Sequence, residues 1–230
     1  MLAVGAAPSA HAAQDRVLLV NEARGFVHDS IPAATAFFLE LGRRSPHYDV
    51  VVLRGGSAGL TPRRLHRADA VIFANTSGEL PVPDRGALNR FVKRGGGFVG
   101  THSASDTLHS WPGFETLLGG EVSRHGAVQE GRLVVSRRPH PITRGLPRSF
   151  ALEDEFYEFM ASPRPRARVL VRLDPESVPD ELGRDLPLVW ARRHGEGRVF
   201  YDALGHPPSS WAHRLHRRIV ARGLAWALGR

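Results

Sequence analysis

Four short runs of apolar residues alternate with longer mixed segments in the first half of the chain. The runs cover residues 16–21, 48–53, 69–75 and 98–101. Uninterrupted apolar runs of this length are typical of strands buried on both faces, and parallel strands need helices between them. The pattern therefore predicts an α/β fold with a doubly wound, mostly parallel sheet that carries helices on both faces.

Segments with a helical spacing of apolar residues lie between and after these runs. Asp29 or Ser30 is placed to cap a first helix, with Pro32 in its first turn. Apolar residues also repeat at helical spacing in residues 88–92 and again in residues 211–228. The last of these segments predicts a closing helix at the C-terminus.

The second half of the chain has a less regular pattern. Its predicted strands are residues 132–136, 168–173, 186–191 and 198–203. Several of them follow each other closely enough to pair as antiparallel additions to the sheet. Because no repeat or low-complexity linker divides the chain, we expect one domain over residues 14–230.

The first thirteen residues are small and apolar and end in Ala-His-Ala-Ala. This pattern is typical of the tail of a secretory signal peptide with an A-x-A cleavage site, although no positively charged segment precedes it. We interpret residues 1–13 as a signal-peptide remnant and expect an exported domain, either extracellular or periplasmic. The alternative is an alanine-rich leader on a cytoplasmic protein.

Composition narrows the range of partners. The formal charge is +8 and Lys93 is the only lysine, so arginine supplies nearly all the positive charge. The arginines form no basic helix and no aromatic–basic strand pair, which argues against nucleic-acid binding. The absence of cysteine excludes disulfides, thiolate nucleophiles and cysteine-based zinc sites. No apolar run approaches the ~20 residues that span a bilayer.

Polar side chains follow the carboxyl ends of several predicted strands, which meet at one edge of a parallel sheet, where ligands of such folds bind. His28 follows the first strand and His206 the last. The other candidates at this edge are Asn75, Thr76, His102, Ser103 and Asp106. Among them, the predicted substrate-binding residues are Asn75, Thr76, Ser103 and Asp106.

His102 occupies a turn with the spacing of a nucleophile elbow. It stands between small residues in the sequence Gly-Thr-His-Ser-Ala, directly after the fourth predicted strand. Such a turn is strained and presents one side chain above the sheet, where serine or cysteine is usual. An imidazole there can act as an acid, a base or a metal ligand near neutral pH. The simpler alternative is a buried, hydrogen-bonded histidine.

Two further residues extend the candidate site. Glu155 lies in an acidic segment after a proline-containing loop, and His125 lies in a polar turn before residue 132. If Glu155 faces the crevice it serves as a general acid or base beside His102 or as a metal ligand; otherwise the segment is a solvated acidic cluster. The predicted catalytic residues are His102, Glu155, His206 and His28. The predicted ligands of a divalent metal such as zinc are His28, His102, His125 and His206, although no local His-x-x-x-His spacing supports them.

Five segments resemble motifs of the ThuA-like (trehalose utilisation) family in order and spacing, from about residue 16 to the C-terminus. They are residues 25–32, 75–78, 95–107, 154–159 and 197–206. The resemblance implies a flavodoxin-like fold of the class I glutamine amidotransferase type, and a link to the use of disaccharides or polyols. In that comparison His102 stands where true amidotransferases have their cysteine, and His206 begins a His-Pro-Pro that lacks their glutamate. Glutamine hydrolysis through a thioester is therefore excluded.

Three functions fit this sequence. We favour an enzyme of carbohydrate metabolism, hydrolase or lyase-like, that acts on a disaccharide, a polyol or an oxidised sugar by His/Glu acid–base or metal-assisted chemistry. The alternative is a non-catalytic sugar-binding or sensory domain. A third reading is a partner-binding domain that uses arginines between Arg63 and Arg67 or near the C-terminus.

Overall fold

The computed structural model describes residues 14–179 and 182–230, so the predicted leader lies outside the described residues. The strands are β1 (Asp15–Val20), β2 (Tyr48–Val52), β3 (Ala70–Ala74), β4 (Gly97–Thr101), β5 (Val122–Val135), β6 (Ser149–Phe159), β7 (Arg168–Leu173), β8 (Leu186–His194) and β9 (Gly197–Asp202). The helices are α1 (Ile31–Arg44), α2 (Pro62–Leu65), α3 (Arg85–Lys93), α4 (Pro112–Leu118) and α5 (Arg214–Ala227). None of these helices is long and apolar enough to cross a membrane.

The strands of the described chain form one sheet in the order β2-β1-β3-β4-β9-β8-β7-β5-β6. The first five in this order pair in parallel, and we call them the parallel half. β8, β7, β5 and β6 pair antiparallel, and we call them the antiparallel extension. The sheet confirms an α/β fold with antiparallel additions in the C-terminal half of the chain.

Burial explains why the strands of the parallel half could be predicted from the sequence. All five residues of β3 and of β4 are buried, as are the last four residues of β1. Each buried large aliphatic or aromatic side chain contributes about 1.5–3 kcal/mol relative to exposure. Gly97 is required at the start of β4, because a Cβ there would lie 2.8 Å from the carbonyl oxygen of Ala227 in α5.

The predictions for the antiparallel extension were partly wrong. β5 begins at Val122 rather than at residue 132, and β6 has no counterpart among the predicted strands. The first part of β5 is mostly exposed and polar, and a bulge between His125 and Val128 interrupts its pairing with β6. A long, solvated hairpin of this kind lacks the apolar run that marks a buried strand. His125 accordingly lies in a strand and not in a turn.

Two helix ends also differ in detail from the prediction. α1 begins directly after Ser30, as expected, but the Ser30 hydroxyl makes no capping bond and instead accepts a hydrogen bond from the Asn75 amide at 2.9 Å. The predicted closing helix over residues 211–228 is divided. A 3-10 turn at Pro208–Ala212 precedes α5, which begins at Arg214.

We predict that Gly223→Ala destabilises the fold. Gly223 lies in α5 against the sheet, and a Cβ there would lie 2.3 Å from the ring of Phe200, which is fully buried in β9. Overpacking of this kind costs about 1–3 kcal/mol. The free energy of unfolding, measured by urea denaturation, should fall by that amount.

The matched control is Gly86→Ala in α3. There the nearest atom to a new Cβ, at 2.9 Å, is the end of the Arg90 side chain, which can move away. Alanine is also the better helix former by about 1 kcal/mol. We expect unchanged or slightly higher stability, and an equal loss in both variants would contradict the packing argument.

Candidate functional site

Four of the predicted site residues meet at the carboxyl edge of the parallel half. His28 follows β1, His102 follows β4 and His206 follows β9. Glu155 reaches the same place from β6, at the far end of the sheet order. One nitrogen from each histidine and one oxygen from Glu155 all lie within 4.8 Å of one another. We call these four side chains the His/Glu cluster.

His102 stands in a strained turn, as the elbow pattern predicts. Its φ is +47°, in the left-handed region that a non-glycine residue enters at a cost of about 1–3 kcal/mol. Two contacts hold it there. Its Nδ1 donates to the Ala203 carbonyl at 3.0 Å, and its own carbonyl accepts from the Tyr201 hydroxyl at 2.7 Å.

This arrangement fixes the protonation of the His102 ring. Because Nδ1 carries the proton, Nε2 presents a lone pair to the cluster and accepts from the Tyr157 hydroxyl at 2.9 Å. Complete burial, reinforced by neighbouring His28, holds the pKa of His102 well below its usual value. His102 is therefore a neutral imidazole with its free nitrogen at the centre of the site.

The carboxylate of Glu155 joins the other members of the cluster. His206 Nδ1 lies 3.1 Å from Glu155 Oε2 and 3.3 Å from His102 Nε2. Glu155 Oε2 lies 3.7 Å from His102 Nε2. The hydrogen bond to Glu155 raises the pKa of His206 in spite of partial burial.

His28 completes the cluster as a second neutral imidazole. Burial, followed by the nearby charge of His206, lowers the pKa of His28 to about 4. Its Nδ1 lies 3.3 Å from the Ser103 hydroxyl, and its ring centroid lies 4.6 Å from that of His102. Two of the three histidines thus remain uncharged at neutral pH.

His125 lies beside the cluster and not in it. The predicted metal set contains His125, whereas the four groups that the described residues bring close enough include Glu155 in its place. His125 Nδ1 lies 2.9 Å from Glu155 Oε1, the oxygen that faces away from His206. About half of the His125 side chain is exposed to solvent.

A buried carboxylate connects β6 to the loop that carries His206. Asp154, next to Glu155 in β6, accepts hydrogen bonds from the backbone N–H groups of Gly205 at 2.8 Å and His206 at 2.9 Å. It also accepts from the Ser210 hydroxyl at 2.7 Å. Burial raises the pKa of Asp154, although these bonds oppose the shift. Asp154 therefore sets the position of the His206 loop relative to β6.

A buried ion pair supports the same loop from below. His216 Nε2 lies 3.1 Å from Asp202 Oδ2, with both side chains inaccessible to solvent, and His216 Nδ1 donates to the Ser210 carbonyl at 2.8 Å. Neither atom of the first contact has another hydrogen-bond partner among the described residues. Burial alone lowers the pKa of His216, but the Asp202 charge outweighs it and raises the pKa.

The predicted substrate-binding residues fall into two groups. Asn75 and Thr76 are fully buried: the Asn75 amide donates to the Gly205 carbonyl at 2.9 Å, and Thr76 pairs with Thr107. Ser103 is also buried. Asp106, in contrast, lines the open cavity above the cluster. Hydrogen bonds of Asn75, Thr76 and Ser103 connect the segments of the site to one another. That these three residues bind a ligand stays a prediction.

The cavity above the cluster has a volume of about 440 Å³. Its walls combine charged, polar and aromatic side chains. The residues that line it include Phe26, His28, Asp106, Arg124, His125, Glu155, Tyr157 and His206.

The Phe26 side chain forms a rigid apolar rim at this cavity. Phe26 is 64% exposed, and its ring lies 4.7 Å from that of His28. Its loop is fastened to the chain after β3, because the Phe26 carbonyl accepts from the Ser77 hydroxyl at 2.7 Å. Gly78 (φ +74°) packs so closely on this loop that a Cβ would lie 2.5 Å from the nitrogen of Gly25.

Five lining residues of the cavity were missed in the sequence, and two of them, Tyr157 and Phe26, contact histidines of the cluster. Tyr157 lies two positions after Glu155, and strand periodicity places such residues on the same face. That signal was hidden because β6 was not predicted. Phe26 is part of a motif that resembles the family, but an exposed aromatic residue carries no signal of its own in a single sequence.

The fold and the cluster define an α/β domain of the amidotransferase-like type, with a histidine at the elbow. The chain belongs to the ThuA family, described as trehalose utilisation, which matches residues 16–227. No curated protein matches the sequence.

Solved structures show the same fold. A putative ThuA-like protein from Bacteroides uniformis superposes with a TM-score of 0.81 at 24% identity, covering 96% of this chain and 95% of that one. One from Parabacteroides merdae gives 0.77 at 20% identity, over 94% and 90%. A β-galactosidase from Bacillus circulans gives 0.59 at 14% identity, over 94% of this chain but 30% of the enzyme. At these identities the likeness concerns the fold alone.

We predict that the stabilising effect of His216 depends on pH. Because its pKa is higher in the folded than in the unfolded state, its contribution is fully present below the unfolded pKa of about 6.5 and is lost as pH rises through the folded pKa. The difference in unfolding free energy between wild type and His216→Gln should be larger at pH 6 than at pH 9. The exposed His66→Gln is the control, and a difference that grows with pH would contradict the ion pair.

Proposed function

We propose that this protein is a carbohydrate-active enzyme, hydrolase or lyase-like, that uses the His/Glu cluster for acid–base or metal-assisted chemistry on a disaccharide, a polyol or an oxidised sugar. The observation that carries this proposal is the cluster itself: three imidazoles and one carboxylate converge beneath an open cavity. Ionisable groups gathered in this way are concentrated at functional sites. The chain has no cysteine for a thioester route, so glutaminase activity is not part of the proposal.

The cluster fits a divalent metal such as zinc. Nitrogen ligands lie about 2.0–2.1 Å from zinc, so two ligands of one tetrahedral ion stand roughly 3.3–3.5 Å apart. The separations among His206 Nδ1, His102 Nε2 and Glu155 Oε2 are 3.1, 3.3 and 3.7 Å. The unprotonated Nε2 of His102 and the lowered pKa values of His102 and His28 also suit metal binding, with the Tyr157 hydroxyl giving way to the ion. A bound ion would supply a Lewis acid for an oxygen of the ligand.

Groups of the chain itself are placed to move protons. His125 bonds Glu155 Oε1 and is half exposed on the cavity wall, so it can exchange protons with a ligand. Burial keeps the pKa of Tyr157 well above its usual value, so its hydroxyl stays protonated and remains a donor. Asp106 adds a carboxylate to the same wall.

The form of the cavity favours a carbohydrate. Its floor is polar and ionisable, whereas Phe26 offers an exposed aromatic face at the rim. A sugar ring likewise has a polar edge of hydroxyl groups and apolar faces of C–H groups. Aromatic side chains pack against these apolar faces. The description of the family as trehalose utilisation supports this choice.

The second candidate is a non-catalytic sugar-binding or sensory domain. It is favoured by the way in which the cluster satisfies its own polar groups: Tyr157 bonds His102, and both His125 and His206 bond Glu155. The two candidates differ in turnover. An enzyme with Glu155→Gln should lose activity on its substrate, while a binder should keep most of its affinity. Because the sequence predicts a secretory leader, we also propose that the protein, whether enzyme or binding domain, works outside the cytoplasm.

We predict that the protein, purified without a histidine tag, carries about one equivalent of zinc, manganese or iron. His102→Ala and His206→Ala should each lose most of it, since each removes a ligand of the cluster. Elemental mass spectrometry measures the content. If the wild type is metal-free and takes up none from excess ion, metal-assisted chemistry is excluded. Only the acid–base version of the proposal then stands.

The control for this experiment is His125→Ala. His125 contacts Glu155 but lies outside the four converging groups. Loss of such a supporting partner weakens metal affinity by about 10–100-fold and leaves the ligands in place. Retention of metal in this variant, together with loss in His206→Ala, would establish the four-residue set over the one predicted from sequence.

We predict that Phe26→Ala weakens carbohydrate binding. Exposing the apolar face of a sugar should cost about 1–2 kcal/mol, equivalent to roughly 5–30-fold in the dissociation constant. The measurement is isothermal titration with trehalose and a panel of other disaccharides and polyols. Met160→Ala is the matched control, since Met160 is 67% exposed and does not line the cavity. Equal effects of the two variants would exclude a role for Phe26.

A further inference from the structure

A second cavity lies against the loop that joins β5 to β6, and its volume is about 520 Å³. Residues from Val135 to Arg148 supply its lining, and none of them lines the cavity above the His/Glu cluster. This stretch contains no aspartate or glutamate. It contains four exposed arginines that line the cavity, which are Arg137, Arg138, Arg144 and Arg148.

Three more arginines hold the loop from beneath. Arg168 donates to the Pro139 carbonyl at 2.7 Å, and Arg218 donates to the Gly145 carbonyl at 3.3 Å. Arg222 donates to the carbonyls of residues 142 and 144. These bonds fix the backbone of the loop, but carbonyl groups are neutral and leave the positive charges uncompensated.

The seven arginines around this loop lack acidic partners. Within the ranges 14–179 and 182–230, none of the seven lies within 4.0 Å of a carboxylate oxygen. Other arginines do form such pairs, namely Arg24, Arg44, Arg85, Arg90, Arg124, Arg132, Arg164, Arg217 and Arg230. Positive charge is therefore unbalanced at this loop, as it also is around another cavity, which is lined by Arg16, Arg54, Arg63, Arg64 and Arg67.

Crowding of like charges is visible in the arginines themselves. Burial, followed by the charges of Arg218 and Arg144, lowers the pKa of Arg222. The Nε of Arg168 is buried and has no hydrogen-bond partner among the described residues. An unpaired buried donor and mutually repelling cations are both costly. An anion in the cavity would reduce the repulsion between the cations.

We propose that this cavity, which we call the arginine pocket, binds a small ligand with two or more oxyanion groups of the phosphate or sulfate type. The arginine guanidinium is a planar donor that matches such oxygens in pairs. The volume lies within the range of small-molecule pockets, and the fixed loop means that little ordering is needed on binding. The proposal does not depend on the chemistry of the His/Glu cluster, with which the pocket shares no lining residue.

The test is isothermal titration of the mature chain with inorganic pyrophosphate. EDTA is present throughout, so that a metal at the His/Glu cluster cannot recruit the anion. We expect one site, and a loss of at least tenfold in affinity for Arg137→Gln/Arg138→Gln. Among the described contacts neither side chain has a partner, so the fold should be unaffected, which thermal unfolding checks.

The matched control is Arg63→Gln/Arg67→Gln. Their replacement removes the same charge from another cavity, which is lined by five arginines, so the control also shows whether any arginine-lined cavity would bind the anion. The control should retain wild-type affinity, and an equal loss in both double variants would reduce the effect to net charge and overturn the proposal. Absence of pyrophosphate binding by the wild type would also overturn it.

Two further titrations define the ligand. Fructose 1,6-bisphosphate in place of pyrophosphate separates an organic from an inorganic source of the same groups, and binding of either supports the pocket. Glucose 6-phosphate, with one phosphate, should bind at least tenfold more weakly than the better of these two. Tight binding of duplex DNA without binding of the small anions would indicate an extended polyanion surface and contradict the proposal.

Discussion

The site depends on one carboxylate that joins the strand at one end of the sheet to the loop after its central strand. Asp154 of β6 accepts the backbone N–H groups of Gly205 and His206, which follow β9 in the parallel half. The neighbouring Glu155 then meets His206 and the elbow residue His102. Since a buried carboxylate is costly without partners, three bonds to Asp154 fix a single arrangement of the two segments.

Burial determines the chemistry of this site as much as the choice of residues does. His102 and His28 are enclosed and their pKa values fall, so both present neutral nitrogens. His206 is partly open and bonded to Glu155, so its pKa rises. Three identical side chains thus differ in pKa because of their surroundings, which is how related groups acquire separate roles in catalytic sites.

The parallel half could be predicted from the sequence because each of its strands is a continuous apolar run. The same reasoning placed His28, His102 and His206 at one edge. It could not place Tyr157 or separate His125 from the cluster, because β5 and β6 form a hairpin that is largely polar and bulged. Long-range pairing of such strands leaves little local trace in the sequence.

The position of β9 has a consequence for how the protein is made. β9 lies in the centre of the sheet, between β4 and β8, yet it is the last strand to be synthesised. Until it emerges from the ribosome, β4 presents an unpaired edge, and unpaired edges of this kind promote association between chains. The sheet therefore cannot be completed, and the His206 loop cannot reach Asp154, before β9 has been synthesised.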